Sequence, residues 1–305
     1  MTDRYDPVAF YEGLVAHGLI LPTPVKGGYG RGPVFEDILN RFDALVMRTA
    51  EAAGEVATEL TFPPIIARTM IEKLGYLDNF PQLIGSVHSF FGKELQGREM
   101  AERAKAGERW EDALDITEVM MIPAACYPVY PQFSGLISEE GRLVTTKNWC
   151  YRHEPSDEPT RLQSFRMREF IRIGAPEQVE SWRDTWLDRG LSILTRLGLP
   201  AAPDVANDPF FGRVGKMMAT SQREQKLKFE ILVPVISEDK PTAICSFNWH
   251  QEHFTGKFGI RRAGDQTAHT ACLGFGLERV TLALIKTHGF NPQAWPAEVR
   301  AQLWP

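Results

Sequence analysis

The sequence predicts an α+β fold in which helices flank an antiparallel sheet. Short apolar runs separated by polar turns fill the middle of the chain, from Met120 to Ile173 and again over Leu227 to Ile236 and Ala243 to Trp249, as strands do. Helix-period patterns lie outside them, at Phe35 to Val46, Val179 to Leu197 and after Gly276. Strands grouped together, rather than alternating strictly with helices, favour antiparallel over parallel pairing. At 305 residues the chain suits one or two domains. We read residues 1–305 as one, with a helical insertion near 176–226.

Each element has its own signal. The Gly-rich turn Gly27-Gly28-Tyr29-Gly30-Arg31-Gly32 precedes a helix whose Phe35, Ile38, Leu39, Phe42, Leu45 and Val46 share a face. Phe62-Pro63-Pro64 interrupts the chain, because proline lacks the N–H a helix or ladder needs. Ile65, Ile66, Met70, Ile71 and Leu74 outline a second amphipathic helix, stopped by Gly75. Residues 93–112 are charge-rich and predict an exposed helix. Ser138-Glu139-Glu140-Gly141 and Pro155-Ser156-Asp157-Glu158-Pro159 are turns between strands. Trp182, Trp186, Leu187, Leu191 and Leu194 continue the helix from Val179, which Gly198 and Pro200 close. The last helix carries Val280, Leu282, Ala283 and Ile285.

Composition excludes several classes. Hydrophobic residues are 43% and charged ones 24%, which is globular and unlike a disordered tail, a fibre or a disulfide knot. The net charge of −5 weighs against a large polyanion as the main partner. No apolar stretch approaches the roughly 20 residues of a membrane span. The start lacks the basic-then-apolar pattern of a signal peptide. Four cysteines, Cys126, Cys150, Cys245 and Cys272, form no CxxC pair and suit a reducing compartment, so a cytoplasmic location is expected. The phosphate loop GxxxxGK[ST], the GxSxG elbow and HExxH are all missing.

What remains is a set of charges on the expected strands. Tyr151-Arg152-His153-Glu154 ends one strand, and Arg161 to Glu169 forms the return. Even offsets put Arg152 with Glu154, and Arg161 with Phe165 and Glu169, on common faces. Gly274-Phe275-Gly276-Leu277-Glu278-Arg279 opens the last helix, where glycines allow close approach and the N-terminus favours an anion. Singly, these are an ordinary solvated pair and an ordinary helix start. Their order and spacing make the set specific.

Tyr151 to Glu154, the hairpin, Phe165 and Glu169 resemble motif 2 of the class II aminoacyl-tRNA synthetases, and Gly274 to Arg279 resembles motif 3. Phe62-Pro63-Pro64 through Phe80-Pro81 resembles the proline-bearing motif 1 of their dimer interface. Within that class the chain is most similar to the catalytic core of the zinc-dependent seryl-tRNA synthetases, and more so to their truncated bacterial homologues, the amino acid:carrier protein ligases. The likeness covers nearly the whole chain. It implies a homodimer that converts ATP, with Mg²⁺, and an amino acid into an aminoacyl-adenylate and pyrophosphate.

The resemblance also implies roles. Arg152 would bridge the attacking carboxylate and the α-phosphate, stabilising charge in the transition state. Glu154 would accept the adenine amino group, and Phe165 would stack on adenine opposite Arg279. Arg161 and Arg279 would hold the outer phosphates, while Leu162, Lys228 and Ala243-Ile244-Cys245-Ser246 would border ATP. Cys126, Glu169 and Cys272 would bind one Zn²⁺ per subunit, leaving a position open for the substrate's amino group. Without the resemblance, both cysteines read as buried structural thiols. His250-Gln251-Glu252-His253 is a rival metal cluster, but an extended segment puts its two histidines on opposite faces, which suits pocket or surface residues better. Cys150 reads as packing, and His153 has no assigned role.

The segment before motif 1 carries no long heptad pattern for a tRNA-binding arm, so tRNA is not the expected acceptor. A phosphopantetheinylated carrier protein is. From Gly212 to Lys228, Arg213, Lys216, Arg223, Lys226 and Lys228 face Glu224 alone. The resemblance puts a carrier-binding helix in about this region, where a basic patch could steer an acidic carrier. A solvated helix face is the plain alternative. Glycine is the first expected substrate and alanine the second, by resemblance. Two other readings stand: a tRNA-aminoacylating enzyme with its tRNA module in trans, and a non-catalytic paralogue that binds ATP or an amino acid.

Overall fold

The computed structural model describes residues 6–305. Helix α1 (Pro33–Ala52) starts on Pro33, whose fixed φ suits a first turn, and buries all six residues of its periodic face. Seven strands build the main sheet: β1 (Thr58–Glu59), β2 (Arg142–Tyr151), β3 (Ser164–Gly174), β4 (Ala202–Val205), β5 (Lys228–Val233), β6 (Thr242–Gln251) and β7 (His269–Gly276). Their order is β4-β5-β6-β7-β3-β2-β1, antiparallel except for the parallel pairing of β1 with β2. Helices α2 (Pro176–Arg196), α3 (Gly212–Glu224), α4 (His253–Phe258) and α5 (Leu277–His288) complete the frame. Among the described residues, no helix is long and apolar enough to cross a membrane.

One sheet face is the main core. Phe170, Phe247, Leu273 and Phe275 meet Trp186, Ile193 and Leu194 of α2 and the apolar faces of α1 and α5. Trp186 is fully buried, its ring 5.2 Å from that of Phe170. Gly190 sets how closely α2 lies on the sheet, because a Cβ there would sit 2.7 Å from the Phe247 ring. The opposite sheet face is left for chemistry.

Three elements differ from the sequence expectation. Segment 176–226 is not purely helical: α2 belongs to the main core, and β4 follows it as the edge strand of the main sheet. Pro203 fits there because an edge strand need not donate from every residue. In the expected Ile65 to Leu74 helix, Ile65–Ala67 is a strand and only Arg68–Leu74 is helical, closed by Gly75 at φ +72°. Asp115–Met121 leaves the main sheet and pairs with Ile65–Ala67 and Ser86–Ser89 in a separate three-stranded sheet. The exposed helix of the charge-rich stretch covers Glu94–Lys105 and buries no side chain.

Beneath the sheet, Arg168 of β3 is buried against Asp43 of α1, with Nε 2.7 Å from Oδ1, and Glu59 and Lys147 extend the network. Burial pushes the Asp43 carboxyl up, but the hydrogen bonds and charges of Arg168 and Lys147 outweigh it and hold the carboxyl below its usual range. Such a group contributes stability above the unfolded carboxylate pKa of about 4 and loses it as the pH falls below that. Asp43→Ala strips the buried Arg168 of its two-point partner and leaves it only the half-exposed Glu59, and should cost about 3 kcal/mol in urea unfolding at pH 7. The deficit relative to the parent should shrink as the unfolding is repeated at progressively more acid pH.

Candidate active site

The antiparallel register lines up the functional residues on the free face of the sheet. Glu169 of β3 lies opposite Gly274 of β7, which lies opposite Ser246 of β6, which lies opposite Glu230 of β5. The next row in the same direction holds Ile171, Cys272, Asn248 and Lys228. Period-2 alternation then aims both rows, apart from the core-packed Ile171, into one cavity of about 630 Å³. That volume suits a nucleotide with a small second substrate.

At one end is the only cluster of potential metal ligands among the described residues. Cys126, Glu169 and Cys272 are buried, with ligand atoms within 4.8 Å of one another. Two backbone N–H groups fix the carboxylate: Ala125 donates to Oε1 at 3.0 Å and Cys126 to Oε2 at 3.1 Å. Burial and the Cys272 sulfur push the Glu169 carboxyl up to about 7. Of the two thiols, Cys272 ionises more readily, because the Cys126 thiol, His250 and Asn248 all direct donors at its sulfur.

At the other end, two guanidiniums share the cavity. Arg152 Nε donates to the Pro123 carbonyl at 3.1 Å, and its Cζ lies 5.4 Å from the centroid of the Phe165 ring. Arg279 donates from Nε to the Thr160 carbonyl at 2.9 Å and from Nη1 to the Ala243 carbonyl at 3.0 Å. Burial, and then the charge of Arg152, depress the pKa of Arg279. Two cations supported by neutral carbonyls and repelling each other form a site for an anion.

The cavity is lined by every expected site residue except Arg161 and Leu162. Leu162 is buried in the main core. Arg161 precedes β3 in the hairpin, so strand alternation does not govern it; its exposed guanidinium pairs with Glu154 at 3.2 Å. Arg152 and Glu154 likewise follow the end of β2. Cys245 lines the cavity while packing in the main core, and burial raises its thiol. Lys228 is not part of a surface patch: it is buried on β5, 2.6 Å from Asp208 and 3.0 Å from Glu230. Asp208 is held below its usual range, where burial opposes and Lys228 outweighs it.

Both histidines of the HxxH segment line the cavity. Gln251 takes a left-handed φ of +51° where β6 ends, which redirects the chain before His253 opens α4. His250 Nε2 lies 3.5 Å from Cys272 Sγ. His250 shares the face of Asn248 on β6, and the backbone reversal at Gln251, which has no periodic signature, is what brings His253 round to the same cavity.

No protein-family model matches the chain. Two amino acid–[acyl-carrier-protein] ligases of Bradyrhizobium diazoefficiens are each 44% identical to it. Ligase 1 aligns over 90% of this chain and 84% of its own length, and ligase 2 over 97% and 87%. The chain belongs to the amino acid–[acyl-carrier-protein] ligase family. A type-2 serine–tRNA ligase of Methanococcus aeolicus is 27% identical over 91% of this chain, which spans 56% of that protein. The solved structure of M. kandleri SerRS with A. aeolicus tRNASec superposes on 96% of this ligase-family chain with a TM-score of 0.81 at 22% identity. The chain spans 60% of that SerRS. This likeness shows the fold, which is that of the class II aminoacyl-tRNA synthetases.

Lys228 is the counter-ion of two partly buried carboxylates. Lys228→Met should therefore destabilise the protein by about 3–5 kcal/mol in urea unfolding at pH 7, because Asp208 and Glu230 are left facing each other. Adding Asp208→Asn to that variant should restore part of the loss.

Proposed function

We propose that the chain activates a small amino acid with ATP and passes it to the phosphopantetheine thiol of a carrier protein. One observation carries this reading: a half-buried pair of guanidiniums, Arg152 and Arg279, shares a single cavity with the Cys126–Glu169–Cys272 cluster. In the first step a carboxylate oxygen attacks the α-phosphorus of ATP and the bond to the β-phosphate oxygen breaks, giving aminoacyl-adenylate and pyrophosphate. Two anions must meet for this, and Arg152 would bridge them as charge builds on the phosphorus oxygens. Arg279 would hold the outer phosphates, which arrive with Mg²⁺ as counter-ion. Phe165 would support adenine, and Glu154 would accept its amino group. Arg161, paired with Glu154 outside the cavity lining, would have to turn from it to hold the outer phosphates beside Arg279. In the second step the thiol sulfur attacks the adenylate carbonyl carbon, and AMP leaves.

The buried donor set of two sulfurs and one carboxylate oxygen fits Zn²⁺, and three protein ligands leave one position open. A zinc ion there would select a free amino group over a hydroxyl. Ala125 and Cys126 N–H groups orient Glu169 for that role. Glycine, with alanine second, is the substrate we favour.

The carrier is favoured as acceptor because the family relatives are named for it. Helix α3 supports a docking role. Arg213, Lys216, Arg223 and Lys226 are exposed on or beside it, with Met217, while Met218, Ser221 and Gln222 form the cavity wall. Arg223 is partly offset by Asp204 at 3.6 Å, so Arg213 and Lys216 are the better test. The three-stranded sheet and the loop and helix beside it expose Ile65, Ile116, Phe91 and Leu95, which supports a homodimer through that side.

Amino-acid-dependent ATP–pyrophosphate exchange, run with all twenty amino acids on protein of measured zinc content, tests the first step. Exchange with glycine or alanine on zinc-loaded protein is expected; none with any amino acid would overturn the reading. Cys272→Ala should lose zinc by elemental analysis and abolish exchange, and a fully active variant would remove the metal from the mechanism. Arg213→Glu with Lys216→Glu should slow transfer to a phosphopantetheinylated carrier by about tenfold, the scale on which rim charges alter association, and leave exchange unchanged.

A further inference from the structure

We infer that His250 sets the size of the amino acid the cavity accepts. The inference rests on the activation reading above and adds the residue that determines specificity. With its amino group beside the Cys126–Glu169–Cys272 cluster and its carboxylate toward Arg152, a substrate would present its side chain to the wall made by β6. Two β6 side chains fill that wall next to the cluster: Asn248 Nδ2 and His250 Nε2 each lie 3.5 Å from Cys272 Sγ. His250 is the larger, and its ring cannot retreat. Nδ1 is 3.2 Å from the Thr270 hydroxyl on β7. Behind it the Phe254 ring stands edge-on at 4.7 Å, and Phe254 is stacked in turn on Tyr130 at 4.2 Å and 14°. Tyr130 is fully buried and Phe254 nearly so, in the same core cluster as Cys126 and Cys272. The imidazole is therefore a fixed stop, held by a hydrogen bond on one edge and by packed rings behind.

A fixed stop of this kind discriminates by volume. One methylene in a packed pocket changes selection by roughly 10- to 200-fold. His250→Ala removes the ring and opens the wall to a longer side chain, whereas His250→Phe enlarges the stop.

The test measures ATP–pyrophosphate exchange with glycine, alanine and serine per zinc-loaded subunit. In parallel, it follows the melting-temperature shift produced by the glycyl, alanyl and seryl sulfamoyl-adenosine analogues. In His250→Ala the preference for glycine over alanine and serine should fall by about tenfold or more in kcat/KM, with the seryl analogue gaining in melting shift. In His250→Phe the preference should move the other way. If the parent discriminates but neither variant changes its ratio by either readout, His250 is not the specificity residue, and activation stands. If the parent neither exchanges with any of the three nor binds any analogue, activation fails and this inference fails with it.

Discussion

The antiparallel register of β3 against β7 is the constraint on which the site depends. It sets Glu169 opposite Gly274, so Cys272, two residues before Gly274, comes beside the carboxylate. Glycine keeps the crossing point open: a Cβ on residue 274 would push aside the Met167 Cε, 2.7 Å away, and crowd the Glu169 Cγ at 3.3 Å. A slip of β7 by one residue would turn Cys272 away from Glu169 into the packed core and bring Leu273 and Phe275 out of it. The apolar face, filled by Phe170, Leu273 and Phe275, forbids that slip. Packing on one side of the sheet thus specifies chemistry on the other.

Buried charge is handled in two ways in this molecule. Arg166 and Arg168 are matched by carboxylates: Arg166 by Glu36 and Glu278, Arg168 by Asp43 and Glu59. These networks tie α1 and α5 to β3 and are structural. Arg152 and Arg279 instead rest on backbone carbonyls and the Phe165 ring, with charge left over. Within one sheet, the difference between a brace and a binding site is whether the counter-ion belongs to the chain.

Much of this was legible in the sequence, for identifiable reasons. Phe35 to Val46 marked α1 because a one-sided helix needs apolar residues every three or four positions. The spacing from Arg152 to Glu169 and from Gly274 to Arg279 carried the cavity's cationic end. Cys126, Glu169 and Cys272 are far apart in sequence, and only the family resemblance joined them. The place of His253 in the cavity lining depends on the backbone reversal at Gln251, which no side-chain pattern records. Leu162 and Arg161 sit in a hairpin whose path is set by tertiary packing, including the Gly27 carbonyl that accepts from Gln163 N–H. The charge count over 212–228 included Lys228 because composition cannot tell a strand interior from a helix surface.

The wall formed by α3 is held from the inside. Gln222 accepts from the Asp208 backbone N–H at 2.7 Å and donates to Asp208 Oδ2 at 2.8 Å, while Asp208 Oδ1 neutralises Lys228. Just ahead of the helix, Phe210 stacks on Phe80 across the cavity mouth. The carboxylate that latches the helix is therefore also the one that balances the lysine on the cavity floor. Lifting the helix by breaking that latch strips the Asp208 carboxylate of one donor, leaves its backbone N–H without the Gln222 acceptor, and removes a bond that favours the ionised form facing Lys228. Mechanical access to the cavity and the electrical state of its floor are one coordinate, and a macromolecule that moves α3 changes both together.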